Sequence, residues 1–419
     1  MTEHEADKLL TQTGPGTAMG ELIRRYWVPI LLSEQLPEPD CAPLRVTLLG
    51  ERLIAFRDSE GRPGLLGEHC PHRGASLFFG RNEEAGLRCV YHGWKFDATG
   101  QCVDMPNEPA ESNFKQKIKT TAYPCGDRGG IVWAYLGPPE MQQGLPQFEW
   151  TVVPESHRFV SRRRQESNWL QALEGGFDPS HLSFLHRGMT AVPGAASQKM
   201  EMAPNDFGMS IGHGRELADG HTTWRVNQLV MPFYKMITPR CEDGSIGFHG
   251  WVPIDDESCM VYSIDWHPER PLTEAELAHN LSWDDIHAEV VPGTDRTVLN
   301  KGNDYNIDRG LQRSGRSFTG IKGLAMQDSG IQESQGAIHD RSREHLGSSD
   351  LAITMIRNYL IEAVKGLQGG DTPPGAEPST HHIRAVGLTL PTSASLRDAP
   401  RELISAKSLG VVDGVESRG

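Results

Sequence analysis

Two cysteine–histidine pairs, Cys70-Pro-His72 and Cys89-Val-Tyr-His92, stand with the sixteen residues 73–88 between them. Two thiolates and two imidazoles in the order C-x-H…C-x-x-H suit a Rieske [2Fe–2S] cluster, in which the cysteines hold one iron and the histidines the other. Neutral imidazole in place of anionic thiolate raises the reduction potential, so such a cluster accepts an electron from a reductase and passes it on. Tetrahedral zinc is the competing occupant of a Cys₂His₂ set. Two features favour the cluster. Each half-site mixes one Cys with one His, whereas zinc fingers tend to pair like with like. The flanks, Cys70-Pro-His-Arg-Gly and Tyr91-His-Gly-Trp-Lys-Phe-Asp, are rich in glycine and aromatic residues, as expected of loops closing over a cluster.

A second group of ligand-type residues lies in Asn168-Trp-Leu-Gln-Ala-Leu-Glu174-Gly-Gly-Phe-Asp178-Pro-Ser-His181-Leu-Ser-Phe-Leu-His186. Histidines five apart do not share one face of a regular helix, but they converge if the helix loosens between them. Pro179 and the pair Gly175-Gly176 mark this segment as non-ideal. Two neutral imidazoles plus one carboxylate, with positions left open for O₂, is the ligand set of mononuclear ferrous iron. Taken alone, His181 and His186 read equally as ordinary helix residues; an upstream cluster that must deliver its electron somewhere tips the reading to metal. Asp178, three residues before His181, is placed to accept the His N–H and fix its orientation, or else to cap the chain ahead of Pro179. Glu174 and Asn168 are expected to line the same site.

These residues need elements to position them. The 419 residues suffice for two or three domains. A formal charge of −14 and a pI near 5.6 argue against nucleic acid and anionic membrane surfaces as partners. No apolar run approaches the roughly 18 residues of a membrane span, and the N-terminus is polar and acidic, so a cytoplasmic protein is expected. Beyond Cys70 and Cys89, the cysteines at 41, 102, 125, 241 and 259 read as reduced thiols, with Cys102–Cys125 the one conceivable disulfide. No internal repeat is evident.

Residues 1–27 form an N-terminal helical segment. From 28 to 145, short β-type runs such as Arg45-Val-Thr-Leu-Leu and Gly130-Ile-Val-Trp-Ala-Tyr-Leu136 alternate with turns, which predicts an all-β module carrying the cluster on two loops. From 146 to 370 a helical stretch near 167–187, strand-like runs over about 198–267, and helical periodicity near 272–288 and 349–367 predict an antiparallel sheet with a long helix packed on it. Residues 371–419 read as a loop-rich tail packed on that domain. The fold class is therefore α+β.

On Cys70, His72, Cys89, His92 and the Glu-x₃-Asp-x₂-His-x₄-His run at Glu174, Asp178, His181 and His186, the chain resembles the α subunits of the Rieske non-haem iron oxygenases. The stretches Asn303-Asp-Tyr-Asn-Ile-Asp-Arg, Phe318-Thr-Gly-Ile, Met326-Gln-Asp-Ser-Gly-Ile-Gln-Glu-Ser-Gln-Gly and His339-Asp-Arg-Ser-Arg-Glu-His-Leu-Gly-Ser-Ser-Asp narrow this to the phthalate dioxygenase branch. The resemblance implies a Rieske domain followed by a helix-grip catalytic domain. It implies Fe(II) on His181, His186 and a later carboxylate, from Asp328, Asp340 or Asp350. Spacing to Glu333 favours Asp328, as it does in the family; Asp340 sits in a charged run, and Asp350 reads as a helix cap. It further implies a homotrimer, in which Asp178 bridges His181 to the neighbouring subunit's cluster at His92, and an NADH-dependent flavin or iron–sulfur reductase as electron donor.

The branch acts on phthalates, phenoxybenzoates and related aromatic acids, by ring dioxygenation or aryl-ether cleavage. O-demethylation or methyl monooxygenation uses the same ligands. A carboxylate calls for an arginine, and Arg215 and Arg225 in the strand region are the candidates, with Arg240 behind them. Thr223, Arg225 and Asn227 would share one strand face, opposite Trp224 and Val226. Met231, Phe233, Phe248 and Trp251 are expected to supply apolar lining. A Rieske electron carrier without catalysis is the reading from another class, and it is at odds with a second ligand group in a catalytic-sized domain.

Overall fold

A computed structural model describes residues 2–109, 111–189, 199–239, 244–398 and 401–406; Arg240 and Cys241 lie outside the described residues. Two short helices, α1 (Glu3–Thr11) and α2 (Ala18–Ile23), open the chain, both capped by threonines whose hydroxyls accept a first-turn amide. The chain then enters the predicted all-β module. One sheet is β1 (Trp27–Leu32), β10 (Cys125–Arg128) and β11 (Ile131–Tyr135). A second joins β2 (Leu44–Leu48), β3 (Glu51–Arg57), β4 (Pro63–Gly67) and β9 (Ala122–Tyr123). A third, small sheet of β5 (Arg81–Glu83), β6 (Gly86–Arg88), β7 (Lys95–Phe96) and β8 (Cys102–Asp104) carries one cluster loop between β6 and β7.

A shared core binds this module to the second domain. The Ile131–Tyr135 strand is buried at every position, as an apolar run covered on both faces should be. Its Trp133 lies 6.0 Å from Trp150, in the single turn α3 (Glu149–Val152), and Phe148 and Phe248 continue the stack. A smaller core of Phe56, Leu66, Leu77, Leu87 and Phe96 sits beneath the two cluster loops.

The second domain is an antiparallel sheet in the order β12 (Arg158–Gln165), β18 (Cys259–Trp266), β17 (Ile246–Pro253), β16 (Tyr234–Ile237), β15 (His221–Val230), β14 (Gly208–Glu216), β13 (Lys199–Asn205). Its outer face carries Tyr234, Phe248 and Trp266 into the shared core. On its inner face α4 (Trp169–Phe177) packs against β16 and β17, and α7 (Leu324–Ser334) and α8 (Leu351–Gly369) pack on α4, with α5 (Glu274–Leu281) and α6 (Arg309–Arg313) in the connection between β18 and α7. Helix α8 buries Ala352, Ile356 and Leu360 at a four-residue spacing and stops at Gly370, whose φ of +96° suits a glycine.

Two expectations need correction, while the described cysteines are reduced as expected. The 167–187 stretch is not one helix: α4 ends at Phe177 ahead of Pro179, and only a single 3₁₀ turn follows at His181–Ser183. The tail is not loop throughout, because β19 (Val386–Pro391) pairs with β15, Arg225 opposite Gly387. Cys102 and Cys125 are both free thiols, their Sγ–H groups directed at the carbonyls of Asp104 and Tyr123. Among the described residues no helix is long and apolar enough to cross a membrane.

The same C-terminal segment contains a buried histidine. His381 Nε2 donates to the Gly375 carbonyl (2.9 Å), Nδ1 accepts from the Gln147 amide (3.2 Å), and the ring stacks on Phe148. Both nitrogens are thus committed to the neutral form, and burial pushes the imidazole down to about 4 from the usual 6.5. Folding therefore favours neutral His381, and the stabilisation, about 3 kcal/mol from that difference, is complete above pH 6.5 and is lost as pH falls toward 4. His381→Gln is expected to unfold more easily at about pH 7.5, yet to lose less stability than wild type between about pH 7.5 and about pH 5. Equal losses in thermal melts at the two pH values would contradict this.

Candidate functional site

The two cluster loops are built alike. The Cys70 amide donates to the Ala75 carbonyl (2.8 Å) and the Gly74 amide to Cys70 O (2.9 Å); the Cys89 amide donates to Trp94 O (2.8 Å) and the Gly93 amide to Cys89 O (2.9 Å). Each loop turns at a glycine in the left-handed region, Gly74 at φ +75° and Gly93 at φ +81°, which a side chain would strain. Both cysteines are 2% exposed. Burial, and then the adjacent Cys89 thiol, push the Cys70 thiol up to about 11. The rings of His72 and His92 lie 4.4 Å apart, and His72 stacks flat on Trp94 at 4.3 Å, which is itself held by a bond from Nε1 to Asn107. His72 Nδ1 is buried without a hydrogen-bond partner among the described residues. Two buried thiols in contact, and an imidazole nitrogen with nothing to bind, are the donor set a [2Fe–2S] cluster requires.

In the second domain the helix α4 is drawn tightly into place. A Cβ on Gly175 would meet Gln332 of α7 at 2.2 Å, and one on Gly176 would meet the Trp251 ring at 2.4 Å. The glycine pair thus permits α4 to touch both α7 and the sheet. Where α4 ends, Asp178 Oδ1 accepts from the amide (2.7 Å) and hydroxyl (2.6 Å) of Ser180, leaving Oδ2 for His181 Nδ1–H at 3.3 Å. His186 donates from Nδ1 to Gln327 Oε1 (2.8 Å), and Gln327 is fixed by its own bond to Ile321 O (2.9 Å). Each imidazole is therefore held with Nε2 facing inward, toward Asp328: 3.0 Å from His186 and 3.6 Å from His181. Ligand atoms of His181, His186 and Asp328 all lie within 4.8 Å of one another. Burial acts to raise the carboxyls of Asp178 and Asp328, but their histidine partners outweigh it and hold both below the usual range. Two imidazoles and one ionised carboxylate in a half-open cage fit Fe(II).

Other expected residues fall elsewhere. Asp340 caps an exposed turn at Ser342, and Asp350 accepts from the Gly347 amide at the start of α8. Asn168 is turned to other partners: it caps α4 through the Leu170 amide and ties the helix to Thr11 O and Asp256 O. Glu174 is held by Arg357 and Arg341, which bind α4 to α8 and the segment before it. Arg215 is exposed near the far end of β14. Phe248 faces the outer core, Met231 lies against Gly375, Phe233 packs edge-on to Tyr234 at 4.7 Å, and Trp251 meets α4.

Arg225 has the expected strand face and more company than the sequence suggested. Register places His213 opposite Arg225, Leu229 opposite Lys235, Lys235 opposite His249, and His249 opposite Ser263. With strand alternation, these all fall on the inner face. Lys235 is enclosed, and burial pushes its ammonium down to about 8 although Asp328 and Asp178 pull the other way. Burial likewise pushes His213 down to about 4. Sequence reading passed over Lys235, His213 and Gln327; the last stands directly before Asp328, the one available hint.

Residues 26–123 match the family described as Rieske [2Fe-2S] domain, which decides against zinc, and residues 197–389 match the LigXa C-terminal domain like family. The 3-chlorobenzoate-3,4-dioxygenase oxygenase subunit of Comamonas testosteroni is 36% identical over 401 residues, covering 89% of this chain and 91% of that protein. The phthalate 4,5-dioxygenase oxygenase subunit of Pseudomonas putida is 36% identical over 399 residues, covering 90% and 89%. Among solved structures, dicamba monooxygenase bound to dicamba superposes with a TM-score of 0.59 at 19% identity, covering 83% of this chain and 99% of that one, a likeness of fold.

Proposed function

The chain belongs to the Rieske non-haem iron oxygenases, as a terminal oxygenase subunit with a [2Fe–2S] cluster and a mononuclear iron, and on that footing we propose that it hydroxylates an aromatic acid. The observation that carries the catalytic half is the cage of His181, His186 and Asp328 within 4.8 Å. We assign these three as the iron ligands. The bound metals supply electrons one at a time and the activation of O₂. The chain's own residues supply the rest. Asp178 and Gln327 hold the Nδ1 protons, which orients each ring and keeps its Nε2 lone pair for the metal. The inner face of the sheet presents cationic groups, at Lys235 and Arg225, where an aromatic carboxylate would lie; this replaces the expected pair Arg215 and Arg225.

Electron delivery is proposed to run between subunits of a trimer, from His92 of one to Asp178 of the next, with an NADH-dependent reductase upstream. Among the described residues no hydrogen bond joins the cluster loops to the 168–189 segment of the same chain. Both surfaces carry exposed aromatic rings, Phe79 and Tyr91 on or next to the cluster loops and the Phe184–Phe318 pair after the turn that follows Asp178, which supports an interface between copies.

The test is aerobic turnover with NADH and a surrogate reductase on chlorobenzoates, phthalates, phenoxybenzoates and methoxybenzoates. Products that gain both atoms of ¹⁸O₂, or an ether split to phenol plus catechol, support ring dioxygenation. Formaldehyde release would make the enzyme a demethylase. No product from any acid, with iron sites full, would sink the aromatic-acid reading.

A further inference from the structure

We propose that Lys235, rather than an arginine fork, is the residue that anchors the substrate's carboxylate; this rests on the aromatic-acid reading and specifies its binding site. Lys235 stands on the central strand β16 of the inner face, and its ammonium lies over Phe177 at 5.5 Å. It donates to the Gly176 carbonyl at the end of α4, its one hydrogen bond among the described residues. An ammonium carries three donors, so two remain for a ligand. No carboxylate lies within ion-pair distance of it among the described residues, although it is close enough to feel both Asp328 and Asp178. Its bond to the Gly176 carbonyl, two residues before Asp178, sets it beside the iron cage without neutralising any member of it.

Cationic groups gather on this side of the sheet. Arg163 and Arg225 add two guanidiniums near this face, Arg163 within the influence of Asp328 and Arg225 within that of Lys235. A ferrous ion with Asp328 as its sole carboxylate ligand leaves a further positive charge. Of the carboxylates on this side, Asp178 is engaged by Ser180 and His181, Asp265 by His287, and Glu333 by Tyr305. Arg225 is exposed and ties its Nη2 to the Thr238 carbonyl (3.0 Å), and His213 is held neutral by burial, whereas Lys235 is both enclosed and cationic. A compact ammonium, unlike a planar guanidinium, grips one carboxylate oxygen at a time and tolerates rotation of the ring it holds.

The experiment is calorimetric binding of 3-chlorobenzoate and of its neutral isostere 3-chlorobenzamide to the anaerobic holoenzyme. Lys235→Met is expected to raise the Kd for the acid about 10- to 100-fold, the loss of one charge-assisted hydrogen bond, and to leave the amide unchanged. Lys235→Arg is expected to keep most of the acid affinity. A lysine that only capped α4 would weaken both ligands alike, and that result overturns the proposal. So does acid binding by Lys235→Met equal to wild type. If Lys235→Met loses its iron, Lys235→Gln, which retains a donor for Gly176, is read by the same acid-to-amide ratio. Wild type that binds the amide but not the acid would overturn the aromatic-acid reading itself, which separates the two failures.

Discussion

Asp328→Ala is expected to leave about two irons per chain where wild type holds about three, with the cluster's visible spectrum intact and turnover abolished. Asp328 is the carboxylate nearest both inward Nε2 atoms, and its oxygen is 3.0 Å from that of His186. Two imidazoles alone make a poor site for ferrous iron, whose retention depends on an anionic oxygen. The loss should therefore exceed the about 10- to 100-fold typical of residues that merely support a ligand. Asp340→Ala and Asp350→Ala serve as comparators, since these carboxylates cap local turns. Metal analysis with three irons retained in Asp328→Ala, or with one lost in either comparator, would move the ligand assignment.

Asp178→Asn is expected to behave differently. Both metal sites should fill, yet turnover should fall by more than about 100-fold, because the carboxylate that holds His181 and faces the subunit surface is gone. An amide can still accept from Ser180 through its oxygen, so the local turn survives; what it loses is the charge. In stopped-flow reduction the cluster of this variant should accept an electron and hold it. Mixed assemblies of His92→Ala and His181→Ala subunits should recover part of the activity, since an intact cluster in one subunit then faces an intact Asp178 and iron site in the next. Absence of recovery in assemblies shown to be mixed would place the electron path within a single subunit.

How much of this could be read from sequence depended on whether the chemistry was local. The cluster loops are local: C-x-H and C-x-x-H each close through one glycine, and spacing alone indicates the donor set. The His181 and His186 pair was visible for the same reason, although the break at Pro179, not a loosened helix, is what lets them converge. Asp328 lies 142 residues beyond His186, and only the resemblance singled it out from Asp340 and Asp350. Asn168 and Glu174 misled because proximity in sequence to a ligand does not fix direction. On a helix packed on three sides, their side chains turned to caps and ion pairs. Lys235 was invisible because its meaning comes from strand register: only pairing with His249 and Leu229 puts it opposite the cage.

That register separates two kinds of evolutionary constraint. In the gripped sheet, one parity of positions carries Tyr234, Phe248 and Trp266 into the aromatic core shared with the cluster module, and the other brings His213, Arg225, Lys235 and His249 to the opposite face. Changes at the exposed position 225 therefore cost little folding stability, while those at 234, 248 or 266 remove much of it. A lineage can trade one organic acid for another through a few single-base substitutions without rebuilding its interior. Laboratory selection confined to the inward parity should consequently reach new substrates while most of its library still folds.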